Sequence, residues 1–97
     1  MTIREKMQNG RLYTDMGEGL AEERDRCKEL IYDYNLTRPS QQARRLSLLR
    51  ELLGDVGKDP YIETPFHMAY GSRTHIGDDF YANFNLVVVD DIDVYFG

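Results

Sequence analysis

The side chains to weigh first for chemistry are His67 and His75, a single cysteine at Cys27, and the adjacent acids Asp90 and Asp91. A thiol becomes a nucleophile when a nearby cation or helix N-terminus lowers its pKa. Cys27 instead falls on the apolar side of a helical pattern, which predicts a packed thiol. One cysteine cannot form an internal disulfide, which fits a reducing, cytoplasmic compartment. Asp90 and Asp91 together suit a turn, and with no further ligands clustered nearby no metal site is expected. A general base must come within hydrogen-bond reach of the proton it takes; His67 and His75 read instead as structural or partly exposed. Three other polar residues have local readings. Asp15 in "YTDM" suits the N-cap of a helix near Met16, Arg24 in "EERDR" a surface i,i+4 partner of a neighbouring acid, and Asn83 in "FYANFN" a strand corner or an asparagine ladder.

The elements that must position these residues fall into two halves. The chain has 97 residues, 41% hydrophobic and 30% charged, enough for one domain with a modest core. A net charge of −5 argues against a nucleic-acid surface. The densest basic spot, Ala43–Arg45 beside Glu51, reads as a solvated helix face. No apolar run has the length of a membrane span, and "MTIREKMQNG" lacks the apolar core of a signal peptide. Thr2 with Glu5 forms a capping box for a short helix that Gly10 stops. A connector with capping side chains at Thr14 and Asp15 leads to a helix over roughly Leu20 to Tyr34, whose apolar side is Leu20, Cys27, Leu30, Ile31 and Tyr34. "NLTRPSQQ" breaks it, because Pro39 is tolerated in a first helical turn but not in an interior. A third helix runs to about Leu53 on a stripe of Leu46, Leu49, Leu52 and Leu53, with Gly54 as its stop.

Beyond the glycine- and proline-rich "GDVGKDPYIETP" the period changes. Tyr70, Ile76, Ala82, Val88 and Val94 are spaced by sixes. So are Ile62, Met68, Thr74, Phe80, Leu86 and Ile92, two positions earlier in phase. Residues i and i+2 of a strand share a face, so both sets can point inward together. All but Thr74 are apolar or aromatic. A parallel β-helix, with one short strand and one corner per six residues and three units per coil, accounts for the spacing. Ile62, Met68, Ile76, Phe80, Leu86, Val88, Ile92 and Val94 are then expected to be buried. Gly71 and Gly77 sit where corners need unusual backbone angles or close approach.

"GRLYTDMGEGLAEER", "YDYNLTRPS" and "IGDDFYANFNLVVVDD" together resemble the maltose and galactoside O-acetyltransferases, members of the hexapeptide-repeat acyltransferases, and the likeness runs along the whole chain in order. It implies an α+β fold: a helical N-terminal domain over residues 1–57, then over 58–97 the first coils of a left-handed parallel β-helix. It also implies a trimer that transfers acetyl from acetyl-CoA to a sugar hydroxyl. Carried over residue by residue, Asp15, Arg24, Tyr81, Asn83 and Asp91 become acceptor contacts, beside their local readings as caps, surface ion pairs and turn residues. Ala69 stands where family members often carry a polar acceptor contact. The family's catalytic histidine and acetyl-CoA groove belong to coils beyond "DVYFG". The expectation is therefore a chain that holds a sugar, binds no coenzyme tightly and has no catalytic residue, with no nucleic-acid or membrane partner. The alternative is a non-catalytic sugar-binding or assembly module. A third possibility, an acidic regulator that binds through its helices, leaves the hexads unexplained.

Overall fold

The computed structural model describes residues 19–97. The expected helix between Thr2 and Gly10, and the connector carrying Thr14 and Asp15, lie outside the described residues. Helix α1, Leu20–Asn35, follows Gly19 in a left-handed conformation, and buries Leu20, Cys27, Ile31 and Tyr34, the side read from the sequence. Helix α2, Gln42–Leu52, starts three residues after Pro39, which falls in the turn before the helix and not in its first turn.

Arg45 corrects the reading of "ARR" as a solvated face, for it is only 3% exposed. Thr37 explains why. Its hydroxyl donates to the Tyr34 carbonyl at the end of α1 (2.6 Å) and accepts from Arg45 Nε (2.7 Å). The guanidinium also lies 5.5 Å from the centre of the Tyr34 ring. Arg45 therefore ties the two helices together, its charge met by a hydroxyl and an aromatic face.

Seven short strands follow: β1 (Asp55–Val56), β2 (Tyr61–Ile62), β3 (Phe66–Met68), β4 (Thr74–Ile76), β5 (Tyr81–Ala82), β6 (Leu86–Val88) and β7 (Val94–Phe96). They pair in parallel as β1–β4–β7, β2–β5 and β3–β6, three walls of one coil. The first of these strands lies just before the expected domain boundary. Helices and coil share one core, in which Tyr34, Leu49 and Leu52 meet Ile62, Phe66 and Met68. Tyr34 meets the Phe66 ring edge-on at 4.8 Å.

The register refines the hexad rule. Asp55 pairs with His75, Tyr61 with Tyr81 and Phe66 with Leu86, so each turn takes 20 residues and not 18. Along the inward positions Val56, Ile62, Met68, Ile76, Ala82, Val88 and Phe96, two steps of six alternate with one of eight. The two extra residues enter the corner between the third and first walls, at 69–73 and again at 89–93. Ile92, expected inside, falls in this corner and is 50% exposed. Tyr70 is buried, but against Leu20 of α1 and not inside the coil. Ile62, Met68, Ile76 and Val88 are buried as expected, whereas Phe80, Leu86 and Val94 are half-buried against the core.

Asp90 holds the long corners together from a fully buried position. Its carboxylate accepts from the backbone N–H of Tyr70 (2.8 Å) and Arg73 (3.2 Å) and from the Thr74 hydroxyl (3.0 Å). A buried carboxylate is tolerated when donors converge on it. The same contacts explain why Thr74 is the one polar member of the inward set. Gly71 turns this corner at φ +76, where a Cβ would run into Leu52.

Candidate functional site

Among the described residues, the coil carries two ladders of outward side chains. The first runs up the β1–β4–β7 wall. His75 Nδ1 lies 2.5 Å from Asp55 of the preceding coil, and Nε2 lies 2.9 Å from Asp93 in the long corner. Arg73 pairs with the other Asp93 oxygen at 3.2 Å, and Tyr95 stacks on the imidazole at 4.5 Å. The hydrogen bond to Asp93 and the further one to Asp55, with both negative charges, raise the His75 pKa above its usual value against the opposing effect of burial. Both ring nitrogens are engaged, so His75 links three successive coils and has no lone pair aimed at a ligand.

The second ladder lies on the β2–β5 wall. Tyr61 and Tyr81 are register partners, and their rings stack at 5.2 Å and 11°. Tyr81 is 63% exposed at the top of this stack, and Asn83, just past the end of β5, is exposed as well. Asp91 is half-buried in the long corner between β6 and β7, and Arg24 is half-buried on α1, one turn before Cys27. Of the expected contacts, then, the fold brings Tyr81 and Asn83 together at one corner and sets Asp91 at another. Asp15 lies outside the described residues. Ala69 is half-buried beside the Leu20–Tyr70 cluster.

The cysteine behaves as its pattern implied. Its thiol is buried and donates to the Met68 carbonyl at 3.4 Å. Burial first, and then the nearby Asp90 charge, push its pKa up to about 12, which keeps it protonated. Among the described residues no cluster of His, Cys, Asp or Glu could hold a metal ion, and no helix is long and apolar enough to cross a membrane.

Sequence reasoning missed Tyr61, Asp55, Arg73 and Asp93. The signal for them is a 20-residue repeat. "GKDPY" at Gly57 recurs as "GDDFY" at Gly77, which carries Tyr61 onto Tyr81, and Asp55, His75 and Tyr95 hold the same spacing. Close packing of the backbone enforces the glycines, since a Cβ on Gly57 would lie 2.4 Å from Gly77 of the next coil.

Comparison with known proteins places this arrangement. Residues 6–57 match the maltose acetyltransferase hexapeptide capping motif. Galactoside O-acetyltransferase of Escherichia coli K12 is 46% identical over all of this chain, which covers 48% of that protein. Nodulation protein L of Rhizobium meliloti is 33% identical over 99% of this chain and 52% of its own length. Among solved structures, a galactoside acetyltransferase in complex with coenzyme A superposes with a TM-score of 0.92 at 46% identity, over 98% of this chain and 48% of that one. A maltose O-acetyltransferase from Clostridium difficile 630 gives 0.90 at 35% identity, over 96% and 50%. The chain spans about half the length of the relatives it matches. With a capping motif over its first half and stacked parallel strands after it, the chain belongs to the maltose and galactoside acetyltransferase family of hexapeptide-repeat proteins.

Proposed function

We propose that this chain forms the capped, acceptor-holding part of an acetyl-CoA-dependent O-acetyltransferase of sugar hydroxyls. Asp15, Arg24, Tyr81, Asn83 and Asp91 hold the sugar. The observation that carries this reading is the exposed pair Tyr81 and Asn83 at the end of β5, an aromatic face beside a free-standing amide. A pyranose ring offers C–H groups to the first and hydroxyls to the second. The coenzyme A complex of a 46%-identical relative supports acetyl-CoA as co-substrate.

In this reading the base lies outside these side chains: His75 spends both ring nitrogens on Asp55 and Asp93, and exposed His67 stands on the β3–β6 wall and not at the β5 corner. The base and the coenzyme groove then come from coils that stack on β5, β6 and β7, so residues 1–97 alone bind sugar weakly and turn over no acetyl-CoA. In this reading residues 1–57 are the cap and 58–97 the start of a left-handed coil. The protein is cytoplasmic and assembles as a trimer through coil faces, where Val87 and Tyr95 are exposed. The occupied imidazole also favours a second reading, a non-catalytic sugar-binding or assembly module.

Titrating the 15N-labelled chain with glucose, maltose and a β-galactoside tests the acceptor site. Amide shifts at Tyr81 and Asn83 that vanish in Asn83→Ala are expected. Shifts confined to other residues, or none with any sugar, would overturn the assignment.

A further inference from the structure

The side of α1 that packs on β3 is only partly covered by it. A cavity of about 460 Å³ opens between the two elements, within the roughly 300–1,000 Å³ usual for small-ligand pockets. Lys28, Ile31, Tyr32, Asn35 and Leu36 line it from α1, and their spacing by threes and fours puts them on one side of that helix. His67 and Met68 line it from β3.

The floor is mostly apolar and firmly held. Ile31 and Met68 are buried, and Asn35 is fixed by its two hydrogen bonds to the Phe66 backbone. Tyr32 and Leu36 are 63% and 67% exposed, so an aromatic ring and an aliphatic side chain stand open to water above this floor. Lys28 and His67 are exposed at the same opening, and neither makes a hydrogen bond or ion pair with another described residue. The lining holds no acid, although the chain has 17 Asp and Glu against 12 Lys and Arg. A lysine stem can lie along apolar surface while its ammonium stays at the mouth. Two donors without acceptors beside an apolar floor are complementary to an anion that carries an apolar body.

We propose that this cavity binds an aromatic carboxylate. The ring lies over Ile31 and Met68 beside Tyr32, and the carboxylate accepts from Lys28 Nζ and from a His67 ring N–H. Contacts with the Tyr32 ring and the Met68 thioether favour an aromatic ring over a plain alkyl chain. A charge-assisted hydrogen bond to the ammonium favours the anion over its neutral amide. None of the lining residues is an acceptor contact, so this site stands or falls independently of the sugar reading. A ligand touching both α1 and β3 ties the helices to the first coil and stabilises the folded chain.

Titrating the 15N-labelled 97-residue chain with phenylacetate, and with phenylacetamide as its neutral counterpart, tests this. Wild type is expected to show amide shifts at Tyr32, Leu36 and His67 and to bind the acid roughly tenfold more tightly than the amide. Its urea midpoint should rise when phenylacetate is present. Lys28→Gln and His67→Gln, both at exposed positions, should each weaken phenylacetate binding severalfold. Both should leave phenylacetamide binding unchanged, which loss of structure would not do. Equal affinities for acid and amide, a preference that survives both substitutions, or no binding at all overturns the site. So do shifts of the same amides with protein concentration alone, which would make a second copy of the chain the occupant.

Discussion

The two ends of the coil complete their backbone hydrogen bonds in different ways. At the lower end, side chains of α1 act as the missing coil. The Tyr34 hydroxyl donates to the Ile62 carbonyl at 2.7 Å. Asn35 imitates a strand neighbour, its amide donating to the Phe66 carbonyl (3.0 Å) and accepting from the Phe66 N–H (3.1 Å). Cys27 meets the Met68 carbonyl. At the upper end β5, β6 and β7 are edge strands. Burial follows the same gradient: Ile62 and Phe66 are fully enclosed beneath the helices, while their register partners Ala82 and Leu86, one coil higher, are half-buried. An edge strand is a template for further pairing. Capping by α1 side chains completes the backbone hydrogen bonds of the lower coil, where burial is deepest.

Truncation on the two sides of one register pair breaks the comparison most sharply. Phe66→Ala should cost ~3–5 kcal/mol, because it opens a cavity against Tyr34 and the helix core. Leu86→Ala should cost ~1–2 kcal/mol, since less of its surface is withdrawn from water. Urea unfolding of both variants checks this; equal losses would mean that the cap does not tighten the coil. Asp78→Ala serves as the reference, near neutral at an exposed corner where its carboxylate accepts only the Lys58 N–H.

Asn35→Ala comes next. It leaves the Phe66 N–H and carbonyl without their side-chain partner and should cost ~1–3 kcal/mol. Hydrogen exchange should speed up at the Phe66 amide and leave Val87 in β6 unchanged. Acceleration spread evenly over the coil would argue against local capping.

The smallest expected effect is a pH dependence set by His75, which bridges the capped and open coils. Its pKa is raised in the folded state, so the stability it supplies is fully present below about pH 6.5, the unfolded value. That stability is lost as pH rises through the raised folded value. Asp55, Asp93, Arg73 and Tyr95 are the groups that face it. The urea midpoint should fall between pH 6 and pH 9 in wild type and fall less in His75→Gln. Equal slopes would remove His75 from the account.

The helices were legible because their apolar side and their stops are local: Leu20 to Tyr34 follows from periodicity, and "TRPS" ends it. The parallel coil was legible in outline for the same reason. Its eight-residue corner was not. Each strand has two inward positions, so a step from Met68 to Thr74, or from Val88 to Val94, still counts six and conceals the insertion. Ile92 and Tyr70 mark the slip: Ile92 stands where Ser72 stood a coil earlier, and Tyr70 packs on Leu20 outside the coil. The burial of Arg45 depends on Thr37 and Tyr34 meeting it across two helices, which no window of sequence displays. At the site, Tyr81 and Asn83 were reached through family resemblance, whereas Tyr61 requires the register.

The central proposal is that this chain carries the acceptor contacts, while the base and coenzyme groove come from outside residues 1–97. A coupled thiol-release assay tests it most directly, with acetyl-CoA and a panel of sugars added to the 97-residue chain and to the same chain extended by a relative's later coils. General-base catalysis is worth ~10²–10⁴-fold, so its loss, together with the loss of coenzyme positioning, should be unmistakable. The account predicts release no faster than buffer from the chain alone and sustained turnover from the extended one. Turnover by the chain alone that Asn83→Ala abolishes would contradict it, because a base would then lie within these residues.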